Sequence, residues 1–188
     1  FFCVSARQQK VVQQNQWQPT RVNVLWDASG SRLHHAKELE LLRQLDGQWP
    51  AAAGQLVIVR EKAEAPLAFH SLGELADYLE SLPCDGASGL SRLQLDSDCE
   101  AWLFFSDGLD TVLPGLPQAA AVPVYTFTSQ VAHNANLLSL LAEQTQASFF
   151  NLNRWQVPEV VEALVTITRT TPKLECQGGE STHRSATQ

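Results

Sequence analysis

The sequence predicts a doubly wound α/β domain with a mainly parallel, six-stranded sheet and helices on both faces. Short apolar runs alternate along the chain with segments of helical periodicity, which is typical of parallel strands joined by right-handed crossovers. At least one run, AWLFF (101–105), is apolar at every position, as expected for a strand buried on both faces. With 188 residues, 44% of them hydrophobic, the chain can bury a core of this kind.

The first half of the domain predicts three strands and two helices. RVNVLW and QLVIVR are β-branched and apolar, and LAFH is short and follows a proline loop, so it is expected at the sheet edge. Ser71 followed by Glu74 is a capping box that begins a helix. A helical stripe of Leu33, Ala36, Leu39, Leu42 and Leu45 defines the first helix. The expected strands cover 21–26, 55–60 and 67–70, and the helices cover 32–46 and 71–82.

The second half predicts three further strands and two helices. AWLFF and VPVYTFT are strands of the buried type, and SFFNL is the last strand. Pro158 opens a final helix with a continuous apolar face. The expected strands cover 101–105, 122–128 and 148–152, and the helices cover 133–145 and 158–168.

The chain divides into three regions by composition. Residues 1–19 begin with FFCVSAR, which predicts the last strand of an upstream region, and continue with a glutamine-rich linker. Residues 20–172 form the α/β domain, and residues 173–188 have the composition of a flexible, solvated tail. The sequence therefore predicts a piece of a longer protein.

Charge and cysteine usage exclude several classes of protein. Thirteen basic against 20 acidic residues give a net charge of −7, which argues against a nucleic-acid binder with a basic face. No apolar stretch reaches the length of a membrane span. The four cysteines are scattered without a CxxC motif, so a disulfide scaffold or a thiolate zinc site is not expected. The compartment stays open between the cytoplasm and the periplasm or cell envelope.

The predicted fold places polar residues from distant segments at one edge of the sheet. In a doubly wound sheet with strand order 3-2-1-4-5-6, strands 1 and 4 are neighbours, and ligands bind beyond their carboxyl ends. Strand 1 ends in the motif Asp27-Ala28-Ser29-Gly30-Ser31, and strand 4 ends in Ser106-Asp107-Gly108. The loop 85–90, which enters a helix on the same side, lies between them in sequence. Two carboxylates and several hydroxyls are therefore expected in one crevice.

Such an all-oxygen cluster suits a hard divalent cation. Mg²⁺ prefers octahedral oxygen ligands and keeps several waters. Ser29 and Ser31 are two residues apart in a turn, and Gly30 lets the backbone bend between them. If one carboxylate acts only through water, the ion stays electron-poor and takes an acidic side chain of another protein as its sixth ligand.

These motifs resemble the von Willebrand factor type A (vWA) domain and its metal-ion-dependent adhesion site. DASGS (27–31) matches the DxSxS signature, GASGL (86–90) resembles the second metal loop, and LFFSDGLDT (103–111) resembles the Asp-Gly end of the family's fourth strand. The resemblance covers about residues 20–168. Ser88 stands where the family prefers threonine, so a hydroxyl is kept but the methyl that restricts its rotamer is lost.

The resemblance implies a metal site, a function and a neighbour. The implied ligands to Mg²⁺, or to Mn²⁺ or Ca²⁺, are Asp27, Ser29, Ser31, Ser88 and Asp107. The serines would bind directly, and Asp27 would orient waters and hydroxyls. The implied function is a non-enzymatic adhesion or assembly module that captures an acidic side chain of a protein partner. VNVLWDASGSRLHHAKELELL further resembles a bacterial subgroup in which a VIT domain precedes the vWA domain.

Two other functions remain open. The first is a structural interaction domain in which the acids and hydroxyls only cap helix starts and the metal site is vestigial. The second is a Mg²⁺-dependent phosphatase with Asp27 as nucleophile, but Ser29 stands where that class needs a second acid. A serine hydrolase is disfavoured because GASGL departs from GxSxG at its last residue.

Overall fold

The computed structural model describes residues 16–110, 115, 117–118 and 121–166. These residues form a six-stranded sheet with four α-helices. In chain order the elements are β1 (Val22–Asp27), α1 (Ala36–Gln48), β2 (Gly54–Val59), β3 (Leu67–Phe69), α2 (Leu72–Glu80), β4 (Ala101–Phe105), β5 (Val124–Thr128), α3 (Ala135–Gln144), β6 (Phe149–Asn151) and α4 (Val157–Val165). A single 3-10 turn, Leu90–Arg92, stands where the second loop was expected to enter a helix.

The sheet has the order β3-β2-β1-β4-β5-β6, which confirms the predicted doubly wound topology. Four of the strand pairs are parallel, and β3 alone pairs antiparallel, with β2. The order reverses between β1 and β4, which pair directly from Val22 with Ala101 to Trp26 with Phe105. The carboxyl ends of the two strands therefore meet at one point of the sheet edge.

Helices cover both faces of the sheet, as predicted. Helix α1 packs against α2 and α4 on one face, and α3 packs against β5 on the other. Two apolar clusters correspond to these layers: one contains buried side chains of α1, α2 and α4, and the other contains those of α3 and the segment before β4. Strands β1, β4 and β5 are buried at every position because they lie between both layers.

Helix α1 begins four residues later than predicted. The sequence indicated a start at residue 32, whereas the structure keeps residues 32–35 in the loop. Arg32 is fully buried there, and its guanidinium pairs with Glu38 in the first turn of α1. Leu33 is consequently not on the apolar face of the helix but is 72% exposed. The histidines 34 and 35, expected on the helix, precede it.

The described residues include the end of the predicted N-terminal linker. Trp17, within the predicted linker, packs edge-on against Trp49 and donates its backbone N–H to Val165 at 2.8 Å. Trp17 therefore packs against the domain although it lies within the predicted linker. The expected upstream strand and the C-terminal tail lie outside the described residues. No helix in the part of the chain that the structure describes is long and apolar enough to cross a membrane.

Candidate functional site

The first loop of the candidate site is organised around Asp27, the last residue of β1. Its side chain is fully buried, and its Oδ1 accepts the backbone N–H of Ser29 at 3.0 Å. Its backbone carbonyl accepts a hydrogen bond from the guanidinium of Arg32. Because both ends of this turn are fixed, the hydroxyls of Ser29 and Ser31 lie side by side, with their Oγ atoms 3.1 Å apart.

The other carboxylate oxygen of Asp27 faces the neighbouring loops. Ser106, which follows β4, donates its hydroxyl to Asp27 Oδ2 at 2.6 Å, and Ser88 of the second loop donates at 3.4 Å. Burial raises the pKa of Asp27, while the Arg32 guanidinium and the hydrogen bonds lower it. The carboxylate accepts hydrogen bonds from one backbone N–H and two serine hydroxyls, so in its ionised form it aligns the hydroxyls around it.

Asp107 completes the cluster from the end of β4. Its Oδ2 accepts the hydroxyl of Ser31 at 2.5 Å, and its Oδ1 accepts the backbone N–H of Leu109 at 2.9 Å. The carboxylate is thus held by its own loop and faces the DASGS turn. Ser31 is exposed, whereas Asp27, Ser29 and Asp107 are buried, so the Ser31 end of the cluster faces solvent.

All five residues that the sequence singled out lie together, although 80 positions separate Asp27 from Asp107. Hydrogen bonds connect Asp27 with Ser29 and Ser88, Ser29 with Ser31, and Ser31 with Asp107. The prediction from topology that these loops meet is therefore confirmed by the geometry.

Backbone contacts lock the second loop onto the first. Gly30 donates its N–H to the carbonyl of Gly86 at 2.8 Å, and Gly86 donates to the carbonyl of Ala28 at 3.2 Å. Gly89 donates to the carbonyl of Arg60 at 3.0 Å, and a Cβ at this position would overlap the carbonyl oxygen of Glu61. Only glycine permits this close approach, which brings Ser88 within reach of Asp27.

A buried ion pair supports the site, and sequence reasoning missed it. Arg32 and Glu38 are both fully buried, and the guanidinium also lies 4.3 Å from the centre of the Trp26 ring. Glu38 Oε1 accepts both the backbone N–H and the hydroxyl of Ser129, each at 2.9 Å. Burial raises the pKa of Glu38, and Arg32 lowers it. The pair therefore ties the DASGS loop to α1 and to the end of β5.

The donor set fits a hard cation and does not fit a soft one. Around Ser31 the cluster brings together two hydroxyls and one carboxylate, and the described residues contain no group of three or more His, Cys, Asp and Glu that could hold a metal. Oxygen ligands about 2.1 Å from an octahedral ion lie about 3 Å apart. The 3.1 Å between the Ser29 and Ser31 hydroxyls is close to that separation, whereas the 2.5 Å between Ser31 Oγ and Asp107 Oδ2 is the shorter distance of a direct hydrogen bond. The residues that could hold Mg²⁺ directly are Ser29, Ser31 and Asp107.

No protein-family model matches the sequence, and the search of curated proteins finds no match. Solved structures do resemble it. One is an aerotolerance-related membrane protein from Bacteroides fragilis, with a TM-score of 0.56 and 12% identity, covering 77% of this chain and 96% of that one. Another is BatB from Bacteroides thetaiotaomicron, with a TM-score of 0.52 and 10% identity, covering 76% and 95%.

A weaker likeness is to the ArnB paralog VWA2 from Sulfolobus acidocaldarius, with a TM-score of 0.47 and 14% identity, covering 80% of this chain and 45% of that one. At these identities the two Bacteroides structures establish a shared fold. The chain therefore shares its α/β fold with these two proteins, and this is the fold class that the sequence predicted.

Proposed function

We propose that this domain is a non-enzymatic protein-binding module that holds a divalent cation and captures an acidic side chain of a partner. The observation that carries the proposal is the convergence of the buried Ser29 and Asp107 on the exposed Ser31 in one hydrogen-bonded cluster. Mg²⁺ is the first candidate because its preferred ligands are hydroxyl, carboxylate and water oxygens.

Some residues of the cluster would bind the ion, and others would hold the ligands in position. Ser29 and Ser31 would bind the ion directly, and Asp107 would bind it directly or through water. Asp27 uses its carboxylate to hold the backbone of Ser29 and the hydroxyls of Ser88 and Ser106, so it fixes the positions of the ligands. When bound, the cation supplies the positive charge that a partner carboxylate requires.

A second candidate, a structural interaction domain with a vestigial site, is favoured by a specific contact. Ser31 donates to Asp107 at 2.5 Å, so these polar groups are satisfied by each other. In that case the domain would keep its full stability without any cation. The phosphatase alternative gains no support from the described residues, because the nearest partners of Asp27 are hydroxyls and Arg32.

Thermal unfolding in EDTA and in millimolar Mg²⁺, Mn²⁺ or Ca²⁺ separates the two candidates. A cation that binds only the folded state at a hundredfold excess over Kd adds about 2.7 kcal/mol. For a domain of this size that shift corresponds to about 5–10 °C in Tm. Asp107→Asn and Ser31→Ala should abolish the shift, and Asp98→Asn, at an exposed ion pair with Arg21, should keep it. Equal Tm values in EDTA and in all three cations would refute cation binding.

A further inference from the structure

Two large apolar side chains beside the candidate site are unusually exposed. Val131 is 88% and Leu33 is 72% exposed, the highest values for large hydrophobic residues in the part of the chain that the structure describes. Leu33 lies two residues after Ser31 in the first loop, and Val131 lies in the loop that follows β5. Both loops leave the carboxyl edge of the sheet, where the candidate site is located.

Hydrogen bonds hold these two loops together. Gln130 donates its side-chain amide to the carbonyl of His34, and its Oε1 accepts the His34 N–H at 3.4 Å. Ser129 in turn donates to the buried carboxylate of Glu38. Leu33 and Val131 are therefore the chain neighbours of His34 and Gln130, and the Gln130 side chain is fixed to the His34 backbone. A surface that is ordered before binding loses less conformational entropy when a partner arrives.

The same two loops carry no acidic residue, although the protein has 20. Residues 28–37 and 129–142, which comprise the two loops with the start of α1 and most of α3, contain no Asp or Glu, and their one arginine and one lysine are engaged within the protein. Arg32 is buried against Glu38, and Lys37 donates to the carbonyl of Leu152 at 2.9 Å. On this side of the cluster, a protein with a net charge of −7 thus presents Leu33 and Val131 within stretches that carry no carboxylate side chain.

We propose that Leu33 and Val131 form the apolar half of the partner-binding surface. The partner is a protein segment that places an aspartate or glutamate next to a large apolar side chain. The acid binds at the cation, and the neighbouring apolar side chain packs on Leu33 and Val131. This inference rests on the proposed function and adds the class of partner. A charged contact orients the complex, whereas desolvated apolar contacts supply much of the affinity.

The test is a display library of short peptides with one fixed Asp or Glu and random residues at the other positions. The library is selected on the whole chain in millimolar Mg²⁺ and eluted with EDTA. We expect the eluted peptides to be enriched in Leu, Ile, Phe or Trp next to the fixed acid. Synthetic copies of these peptides should bind Leu33→Ser and Val131→Ser about tenfold more weakly than the unchanged chain.

A matched control is Leu67→Ser, which changes another exposed leucine on the edge strand β3 and should leave binding unchanged. Circular dichroism of the three variants is used to check that each is folded. EDTA-eluted peptides without apolar enrichment would overturn this inference and leave the proposed function standing. Apolar peptides that bind equally well in EDTA would also overturn it, because the patch would then act without the site. An absence of EDTA-sensitive binding, together with equal Tm values with and without cation, would overturn both.

Discussion

Replacing Arg32 with methionine would remove the cation of a fully buried ion pair and leave the carboxylate of Glu38 inside the protein. Glu38 would keep its hydrogen bonds from the N–H and hydroxyl of Ser129, but the carbonyl of Asp27 would lose the guanidinium that donates to it. Methionine has a similar length and can fill the space beside Trp26. The substitution therefore tests charge and hydrogen bonding more than volume.

Breaking a buried pair by removing one partner costs about 3–5 kcal/mol, because the remaining charge is uncompensated. Domains of this size have a total stability of about 5–15 kcal/mol, so the loss is a large fraction of it. Glu38→Gln should cost a comparable amount because it leaves Arg32 unpaired. The double variant should then be no less stable than either single variant, since it removes both charges. The two losses are therefore expected to be strongly non-additive.

Urea denaturation followed by far-UV circular dichroism measures these free energies of unfolding. Arg43→Met is the matched control, because Arg43 forms exposed ion pairs with Asp77 and Glu80 and should lose no more than about 1 kcal/mol. Removing Arg32 also raises the pKa of Glu38 further, since the guanidinium lowers it. Protonation then relieves the buried charge, so the deficit of Arg32→Met should shrink as the pH falls and grow as it rises. A deficit below about 1 kcal/mol, or single losses that add in the double variant, would refute this account.

Three further predictions concern local features. Ser71→Ala removes the hydroxyl that accepts the Glu74 N–H at 3.1 Å and should cost about 1 kcal/mol in urea denaturation. Gly89→Ala places a methyl group on the carbonyl of Glu61 and should cost about 1–3 kcal/mol, with a lower Tm. Burial raises the pKa of Cys99 to about 11 from 9.0, so its alkylation by iodoacetamide should stay slow at pH 9 in the folded protein and become fast in urea. The stability contributed by that protonated thiol should be lost as the pH rises from about 9 towards 11.

The fold could be predicted because its signals are local and repeated. Each strand is a short apolar run, each helix has a periodic stripe, and their alternation leaves few topologies. The position of the site then follows from the topology, because the strand order brings the loop after β1 to the loop after β4. Residues as distant as Asp27 and Asp107 could thus be placed together from sequence. The cation itself stays a prediction.

The supporting network could not be predicted, because charged residues six positions apart normally indicate a solvated surface. Nothing in the sequence distinguishes Arg32 and Glu38 from exposed charges such as Arg43 and Glu80. Their burial depends on the loop 32–35, which precedes α1. The apolar stripe predicted a helix there instead, because Leu33 lies at helical spacing from the leucines of α1. Periodicity predicts which residues share a face only where a helix exists.

The two outer strands of the sheet, β3 and β6, are only three residues long. At about 3.3 Å per residue, each offers a pairing edge of about 10 Å. The longer strands β1, β4 and β5 each lie between two neighbouring strands. Their apolar composition would favour aggregation if their edges were exposed. Short edges of this kind are poor templates for recruiting another chain. Folded molecules should therefore not pair through their sheet edges, even at high concentration. On heating, aggregation should begin only at temperatures at which the domain unfolds.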